Sequence, residues 1–493
     1  MTKTFNKNML VKLLCLIIAL LTVMSSAVAC AADVEDDEET TVVTETEAEE
    51  PAVPFIDWAG REFRVLTTNN DHEPNFEVIG DLGGGRLSAK VYERNVSIKE
   101  YCNVEIKDAS GEEDSFGALE KDFLGGTQSY DMVFMTRDNM SSAIQRGFMK
   151  DLNDVKYIDF EEDWYSDLAI ESMKISGRLY HMTSDFSLVD KARTNTLFFN
   201  RDLADELGLQ DVVTMVREGT WTIDVMYQMA TAAAIDDGDN VIENTDGFGF
   251  TGGGGEAALA LYAGMGNTLV SLNSDNTYEI KITQDRSLSS LDWIKDMLDV
   301  FHWVGFTGSE HVVWPKDYDI PSNAFCDGRV LFYSGIMDSI EALSDKADFA
   351  YTAITYPKYD IGQEYYYTTN DNMYCSTFGI PFDAEDMDFS GYMIELLSWK
   401  SHTTTYPEYY EIKCQVQKSY DPVCAEMLRL NYEGMVFDFG LLYCNTIKYK
   451  KMIETFTSDR SNLKNVTTLF AENEKTSNNA IDTILETVAK LPE

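Results

Sequence analysis

The sequence is short of basic residues and of proline. Its 493 residues include 39 Lys and Arg against 84 Asp and Glu, for a net charge of −45, and only 10 prolines. A surface this acidic repels phosphate backbones, which excludes nucleic acid as an expected partner. With 44% hydrophobic and 12% aromatic residues, the composition also excludes a disordered chain. The length predicts two or three folded domains.

Histidines and cysteines in metal-binding spacings are also absent. There are 5 histidines and no C-x-x-C pair, so we expect no metal site and no cofactor. No H-E-x-x-H or G-x-S-x-G motif occurs, and we therefore predict that the chain is not an enzyme. Whether the six cysteines after Cys30 form disulfides stays open; they are Cys102, Cys326, Cys375, Cys414, Cys424 and Cys444.

Two further motifs fit ordinary loop structures. Gly247–Gly252 fits the G-x-G-x-x-G pattern, but the segment before it is acidic and turn-like, and we expect a glycine-rich loop that leads into a helix. The acidic cluster between Asp236 and Asp246 lacks the spacing of an EF-hand loop. A solvated turn is the expected structure there, and calcium binding stays open.

The N-terminus has the pattern of an export signal. Lys3, Lys7 and Lys12 precede the apolar run Leu13–Leu21, and the segment ends in Ala27-Val28-Ala29-Cys30. This end fits a small-x-small cleavage site, and it also resembles a bacterial lipobox, in which Cys30 is acylated. No later run reaches about 18 apolar residues.

The charged residues of the segment after Cys30 are all acidic. Residues 31–54 contain ten Asp or Glu and no Lys or Arg, a composition that cannot bury enough apolar surface to fold. We predict a signal peptide over 1–29 and a lipid-anchored, disordered acidic tether over 30–56. The protein is then exported and anchored to the cell membrane, facing the extracytoplasmic side.

Beyond residue 57 the pattern is that of an α/β chain. Short runs with strand character alternate with segments of helical periodicity. The predicted strands are Phe63–Thr67, Asp131–Met135, Leu197–Phe199 and Val330–Tyr333. Apolar residues at helical spacing predict amphipathic helices at Leu291–Phe301 and Ile481–Val488, and Thr220 or Thr222 can cap a helix that begins near Ile223.

Read in order, several segments resemble the carbohydrate-type solute-binding proteins of ABC importers, the family that includes maltose-binding protein. The matching segments are Tyr130–Phe134 with Gly147–Leu152, Gly177–Tyr180 with Leu197–Gly208, Thr220-Trp221, and Ala324–Gly335. Two positions depart from the family pattern. His181-Met182 replaces the usual Val-Pro, and Asn372-Met373 stands where many relatives have Gly-Gly.

The resemblance implies a fold and a function. The fold is the type II, two-lobe periplasmic-binding-protein fold, with a ligand cleft between the lobes and crossover strands as the hinge. Lobe one is expected over 57–185 and about 350–398, and lobe two over 186–349 and about 399–493. The implied function is the capture of a carbohydrate for an ABC permease by a lipid-anchored monomer.

The family's cleft-forming loops imply the ligand-binding residues, and a sugar needs aromatic platforms beside carboxylate, amide and guanidinium groups. The predicted ligand-binding residues are Asn69, Asn70, Arg137, Asp138, Asp185, Tyr333, Ser334, Asn372 and Tyr374. Trp221 is expected to pack the start of a helix instead. The alternatives are a peptide or polyamine ligand on the same fold, which the acidity favours, and a secreted glycoside hydrolase.

Overall fold

Two sheets organise the folded part of the chain. The computed structural model describes residues 51–68, 76–236, 238, 246–273, 275, 277–299, 303–305, 321–370, 375–415, 422–458 and 466–492. The strands are β1 Arg61–Leu66, β2 Val104–Asp108, β3 Met132–Thr136, β4 Asn195–Asn200, β5 Phe248–Gly252, β6 Val270–Leu272, β7 Tyr278–Ile280, β8 Trp303–Gly305, β9 Val330–Ile336, β10 Tyr351–Ile354 and β11 Ser376–Gly379.

Helices cover the faces of these sheets. They are α1 Arg86–Cys102, α2 Ser115–Gly125, α3 Arg137–Gln145, α4 Asp167–Met173, α5 Val189–Ala192, α6 Arg201–Glu206, α7 Val212–Glu218, α8 Ile223–Ala233, α9 Gly254–Gly264, α10 Asp285–Asp299, α11 Pro321–Cys326, α12 Ser339–Lys346, α13 Met387–Thr403, α14 Thr405–Gln415, α15 Pro422–Glu433, α16 Phe439–Leu442, α17 Tyr449–Ser458 and α18 Val466–Ala489. Within the described residues, no helix is both long and apolar enough to cross a bilayer.

The first sheet has four strands in the order β11-β3-β1-β2. β1 runs parallel to β2 and β3, and β11 runs antiparallel to β3. Every residue of β3 is buried, as expected for a strand covered on both faces. The elements that pack on this sheet, including α1 to α4 and α13, form the first lobe.

The second sheet has five strands in the order β10-β4-β9-β5-β8. β5 runs parallel to β8 and β9, while β4 runs antiparallel to β9 and β10. The elements around this sheet form the second lobe. Because β10 pairs with β4, residues 351–354 belong to this sheet, and the return to the first lobe comes later than the boundary expected near 350.

The four predicted strands are confirmed as β1, β3, β4 and β9, and the two predicted amphipathic helices are confirmed as α10 and α18. Phe301 lies outside the described residues. Thr222 is the N-cap residue of α8, but its hydroxyl bonds the Asp224 carboxylate at 2.5 Å and caps no backbone N–H. Trp221 is fully buried and donates its indole N–H to the Thr355 carbonyl at 3.0 Å, which confirms its packing role.

One local prediction is wrong. Residues Phe248–Gly252 form the buried strand β5, where a glycine-rich loop was expected. Glycine is weak in strands, but here it lets neighbouring elements approach closely. A Cβ at Gly249 would lie 2.3 Å from the Ala230 carbonyl oxygen of α8, and one at Gly252 would lie 2.6 Å from the Ala257 Cβ.

Candidate functional site

A small cavity lies between the two lobes. The first lobe and the start of β11 contribute Arg137, Ser172–Ile175, His181, Cys375 and Thr377, and the second lobe contributes Thr369, Asn370, Phe437–Phe439, Leu441 and Leu442. We call this space the interlobe cavity. It measures about 30 Å³, which is room for one or two water molecules. Any larger ligand requires the lobes to separate.

Arg137 lines this cavity and carries an unsatisfied donor. It is the first residue of α3 and follows the carboxyl end of β3, which places it at the edge of the first sheet. Its side chain is only 10% exposed, and its Nε and Nη2 contact Oδ1 of Asp138 at 3.0 and 2.9 Å. The buried Nη1 has no hydrogen-bond partner among the described residues. A buried donor without a partner costs about 1–3 kcal/mol, which a ligand oxygen or a water would recover.

His181 presents a second unsatisfied nitrogen. The residue is 1% exposed, its Nδ1 lies 2.9 Å from Oγ1 of Thr377, and Nε2 has no partner in the described part of the chain. Burial lowers the pKa of His181 to about 4. The ring is therefore neutral at physiological pH, and its Nε2 is a donor or an acceptor according to the tautomer.

The second-lobe wall combines apolar and polar groups. Phe437 and Phe439 supply aromatic surface, and Asn370 donates its amide to Sγ of Cys375 at 3.0 Å. Burial raises the pKa of Asp438 to about 6, although its carboxylate accepts the backbone N–H groups of Leu269 and Gly440. This mixture of aromatic faces and a few polar groups is typical of small-molecule sites.

A larger pocket adjoins the cavity on the second-lobe side. The two share Thr369, Asp438 and Leu441, and the pocket offers about 380 Å³. Its polar lining includes Asn267, Gln284 and Arg286. This volume lies in the range of small-molecule sites, about 300–1,000 Å³. Separation of the lobes at the cavity would extend this pocket toward Arg137.

A charged pair from the second lobe lies near Arg137. Nζ of Lys450, in α17, is 3.0 Å from Oε1 of Glu256 in α9. Burial lowers the pKa of Lys450, but the Glu256 carboxylate has the larger combined effect and the pKa is raised. The positive charge of Arg137 opposes this increase. Lys450 and Arg137 are thus electrostatic neighbours across the two lobes.

The crossover between the lobes contains a buried ionic network. Nζ of Lys191 is fully buried, donates to the carbonyls of Ser184 and Ser187 at 2.8 and 2.7 Å, and lies 3.6 Å from Asp190 and 3.9 Å from Asp185. Asp190 also accepts the hydroxyl of Thr183, and burial raises its pKa. These residues and His402, which pairs with Asp185, form the crossover network.

The structure brings only part of the predicted site together. Arg137 lines the interlobe cavity and Asp138 is its ion-pair partner. Asp185 belongs to the crossover network and does not line this cavity. Asn69, Asn70, Asn372, Tyr374 and the lipidation residue Cys30 lie outside the described residues.

Tyr333 and Ser334 are both buried in the second lobe and do not line the interlobe cavity. Tyr333 is 9% exposed, and its ring stacks on Phe198 with centroids 5.6 Å apart. Oγ of Ser334 is buried 2.7 Å from the Tyr356 hydroxyl. Sequence reasoning missed His181 as a cavity residue, although its departure from the family's Val-Pro pattern was a signal.

The fold is that of known solute-binding proteins. The structure resembles the maltose-binding periplasmic protein of Listeria monocytogenes in complex with maltose, with a TM-score of 0.51 and 13% identity over 88% of this chain and 99% of that one. It also resembles the galacto-N-biose/lacto-N-biose I-binding protein of the ABC transporter of Bifidobacterium longum, with a TM-score of 0.53 and 12% identity over 87% and 99%. The chain has the two-lobe fold of carbohydrate-type solute-binding proteins.

A third structure of the same fold is the maltose-maltodextrin binding protein of Alicyclobacillus acidocaldarius, with a TM-score of 0.50 and 13% identity over 84% of this chain and 100% of that one. No protein-family model matches the sequence, and no curated protein matches it. The expected two-lobe α/β architecture is thereby confirmed at the level of the fold.

Proposed function

We propose that this chain is the substrate-binding protein of an ABC importer and that its ligand is a carbohydrate held between the two lobes. The fold supports the transport role, because solved proteins of this fold include a maltose-binding protein and the binding protein of an ABC transporter. The proposed partner is therefore an ABC permease, and the proposed working form is a monomer.

The observation that carries the proposal is the pair of unsatisfied nitrogens in the interlobe cavity. Nη1 of Arg137 and Nε2 of His181 are buried on a wall that also contains the hydroxyl of Thr377 and faces Phe437 and Phe439. A sugar hydroxyl both donates and accepts hydrogen bonds, and its ring has apolar C–H faces that suit aromatic surface. A ligand that contacts both walls stabilises the closed arrangement of the lobes.

The size of the cavity implies that binding is coupled to lobe movement. A space of about 30 Å³ cannot hold a sugar ring, so the ligand would bind to separated lobes and be enclosed as they close. The adjoining pocket of about 380 Å³ supplies additional room next to Asp438. Arg137 and His181 would then contact the ligand from the first lobe.

A thermal-shift screen of mono- and oligosaccharides, with peptides and polyamines as comparison ligands, tests this function. A ligand at about 100 times its dissociation constant stabilises the folded state by about 2.7 kcal/mol. The Arg137→Met variant should lose the stabilisation by the sugar. Arg146→Met is the matched control, because Arg146 ends the same helix and pairs with Glu120 at the surface. Stabilisation by peptides alone would contradict the carbohydrate assignment.

We also propose that the protein binds its sugar without hydrolysing it. The cavity wall pairs Arg137 with Asp138 and contains a neutral His181, and the Asp438 carboxylate is engaged by backbone N–H groups. Incubation of purified protein with the identified sugar should release no reducing ends. Steady release that persists through further purification would favour a glycoside hydrolase.

Membrane anchoring through Cys30 is part of the same proposal. The lipobox-like end of the signal and the acidic segment after it support an acylated N-terminus. Mass spectrometry of the mature protein should find lipid on Cys30. An unmodified Cys30, or cleavage at another position, would leave a freely secreted protein.

A further inference from the structure

A second and larger space between the lobes lies at the other end of the crossover. The crossover segment contributes His181 to the interlobe cavity and Asp185 to this groove. Helix α4 contributes Met173 to the cavity and Asp167 to the groove. We call it the hinge groove. Its walls are residues 161–168 of the first lobe and residues 216–219, 364–366 and 429–434 of the second, and its volume is about 1030 Å³.

The walls of the hinge groove carry an excess of unpaired carboxylates. In the described part of the chain, six lining carboxylates take part in no ion pair: Glu161, Glu162, Asp163, Asp167, Glu218 and Glu364. Two of the lining cations are already paired, Arg217 with Glu426 at 2.6 Å and Arg429 with Glu433 at 3.5 Å. Nζ of Lys358 lies 4.5 Å from the centroid of the Tyr366 ring. The uncompensated charge is therefore negative on both walls.

The two walls border one groove, so a ligand in it can contact both. The pKa of Tyr365 in the second lobe is raised, first by its hydrogen bond to Glu364 and also by the charge of Asp167 in the first lobe. Asp167 and Glu364 therefore act on the same phenol from opposite walls. A cation placed between them would interact with carboxylates from both lobes.

Aromatic rings and an unsatisfied hydroxyl line the interior of the groove. Trp164 is 7% exposed, and its indole nitrogen has no hydrogen-bond partner among the described residues. Tyr432 is 4% exposed, and its hydroxyl oxygen also has no hydrogen-bond partner among the described residues. A phenol oxygen accepts a hydrogen bond from an ammonium group, and indole and phenol faces attract cations and methylene segments.

We propose that the hinge groove is a second ligand site, separate from the interlobe cavity, and that it binds a linear aliphatic polyamine. Ammonium groups match the carboxylates on both walls and the Tyr432 oxygen, and the methylene segments between them match the rings of Trp164, Tyr366 and Tyr406. A small inorganic cation would satisfy the carboxylates, whereas the methylene segments of a polyamine would also contact the aromatic rings. The inference does not depend on the identity of the ligand in the cavity.

Calorimetric titration of the full chain with spermidine at low ionic strength tests the site. We expect saturable one-to-one binding that weakens as salt is added. The variant Glu162→Gln/Asp167→Asn/Glu364→Gln should bind spermidine at least tenfold more weakly. The control Glu100→Gln/Glu112→Gln/Glu206→Gln removes three exposed carboxylates elsewhere and should bind as the unmodified protein does. Equal weakening by both variants would mean non-specific attraction and would overturn the proposal.

Three further measurements distinguish polyamine binding in the hinge groove from binding in the interlobe cavity and from binding of any cation. Tyr432→Phe keeps the ring and removes the hydroxyl, and should weaken spermidine binding several-fold without lowering the melting temperature of the free protein. Arg137→Met should leave spermidine binding unchanged even if it abolishes sugar binding. Loss of spermidine binding in Arg137→Met would place the ligand in the interlobe cavity and overturn the proposal. Binding of Mg²⁺ at the hinge groove with the same affinity as spermidine would also overturn it.

Discussion

Oδ2 of Asp185 lies 2.6 Å from Nδ1 of His402, and this contact joins the crossover to the end of α13. Asp185 is buried, whereas the His402 side chain is 38% exposed and faces the hinge groove. The contact thereby ties these two segments together beside the hinge groove. The surrounding buried charges make this region sensitive to single substitutions.

Lys191→Met should destabilise the protein strongly. Lys191 is fully buried beside Asp190 and Asp185, so its removal leaves buried carboxylates without a counter-charge. Loss of one partner of such a buried network costs about 3–5 kcal/mol. Urea denaturation measures the free energy of unfolding. The control Lys121→Met removes a lysine that is paired only at the surface with Glu113, and a change there as large as in Lys191→Met would contradict the argument.

Glu395→Gln should change how stability depends on pH. Burial raises the pKa of Glu395 from 4.5 to about 7, outweighing the hydrogen bonds from the Tyr165 hydroxyl and the Asp159 N–H. Between these pH values the folded state binds more protons than the unfolded state, so stability falls as pH rises from about 4.5 to 7. The contribution is at most about 3 kcal/mol.

Because glutamine does not titrate, the stability of the Glu395→Gln protein should not fall over this pH range. The variant should therefore be more stable than the parent protein at pH 8. Melting temperatures of both proteins at half-unit intervals from pH 4.5 to 8 provide the check. Parallel curves for the two proteins would show that Glu395 titrates normally.

His181→Gln should change the pH dependence of stability in the acidic range instead. Burial lowers the pKa of His181 from 6.5 to about 4, so the unfolded state takes up the proton first as pH falls. Stability from this group is therefore lost progressively between about pH 6.5 and 4. Glutamine can still hydrogen-bond Thr377 and does not titrate, so the variant should lose less stability on acidification. Equal acid sensitivity of the variant and the parent protein would refute this.

Gly249→Ala should be among the most costly single-methyl additions in the second lobe. The new Cβ would lie 2.3 Å from the Ala230 carbonyl oxygen and 2.6 Å from the Ala230 Cα, both backbone atoms that cannot turn away. Overpacking of this kind costs about 1–3 kcal/mol or more. Gly253→Ala, four residues later in open space, is the control, and its unfolding midpoint in urea should stay close to that of the parent protein.

Local patterns in the sequence were sufficient to find the strands at the centres of both sheets. β1, β3, β4 and β9 are short apolar runs between polar or glycine residues, and such runs predict buried strands. β5 was missed because three of the six residues Gly247–Gly252 are glycines. Its strand character comes from the tight packing of α8 and α9 on the sheet, which is a tertiary property.

The site was harder to predict than the fold. Arg137 follows the carboxyl end of β3, a position set by the local sequence, and it lines the interlobe cavity. For Tyr333, alternation along β9 cannot tell which neighbour covers the ring, and Phe198 of β4 stacks on it. His181, Lys191 and Glu395 are buried partly by residues that are distant in the sequence. Thr377, for example, contacts His181 from more than 180 positions away.

The apolar core has a consequence for how the protein unfolds. One continuous buried cluster contains Leu66 and Val133 from the first sheet together with Leu197 and Phe199 from the second. Neither lobe can lose its packing without exposing apolar surface of the other. We therefore expect calorimetric melting in a single cooperative transition, with calorimetric and van 't Hoff enthalpies in agreement, where two independent lobes would give two.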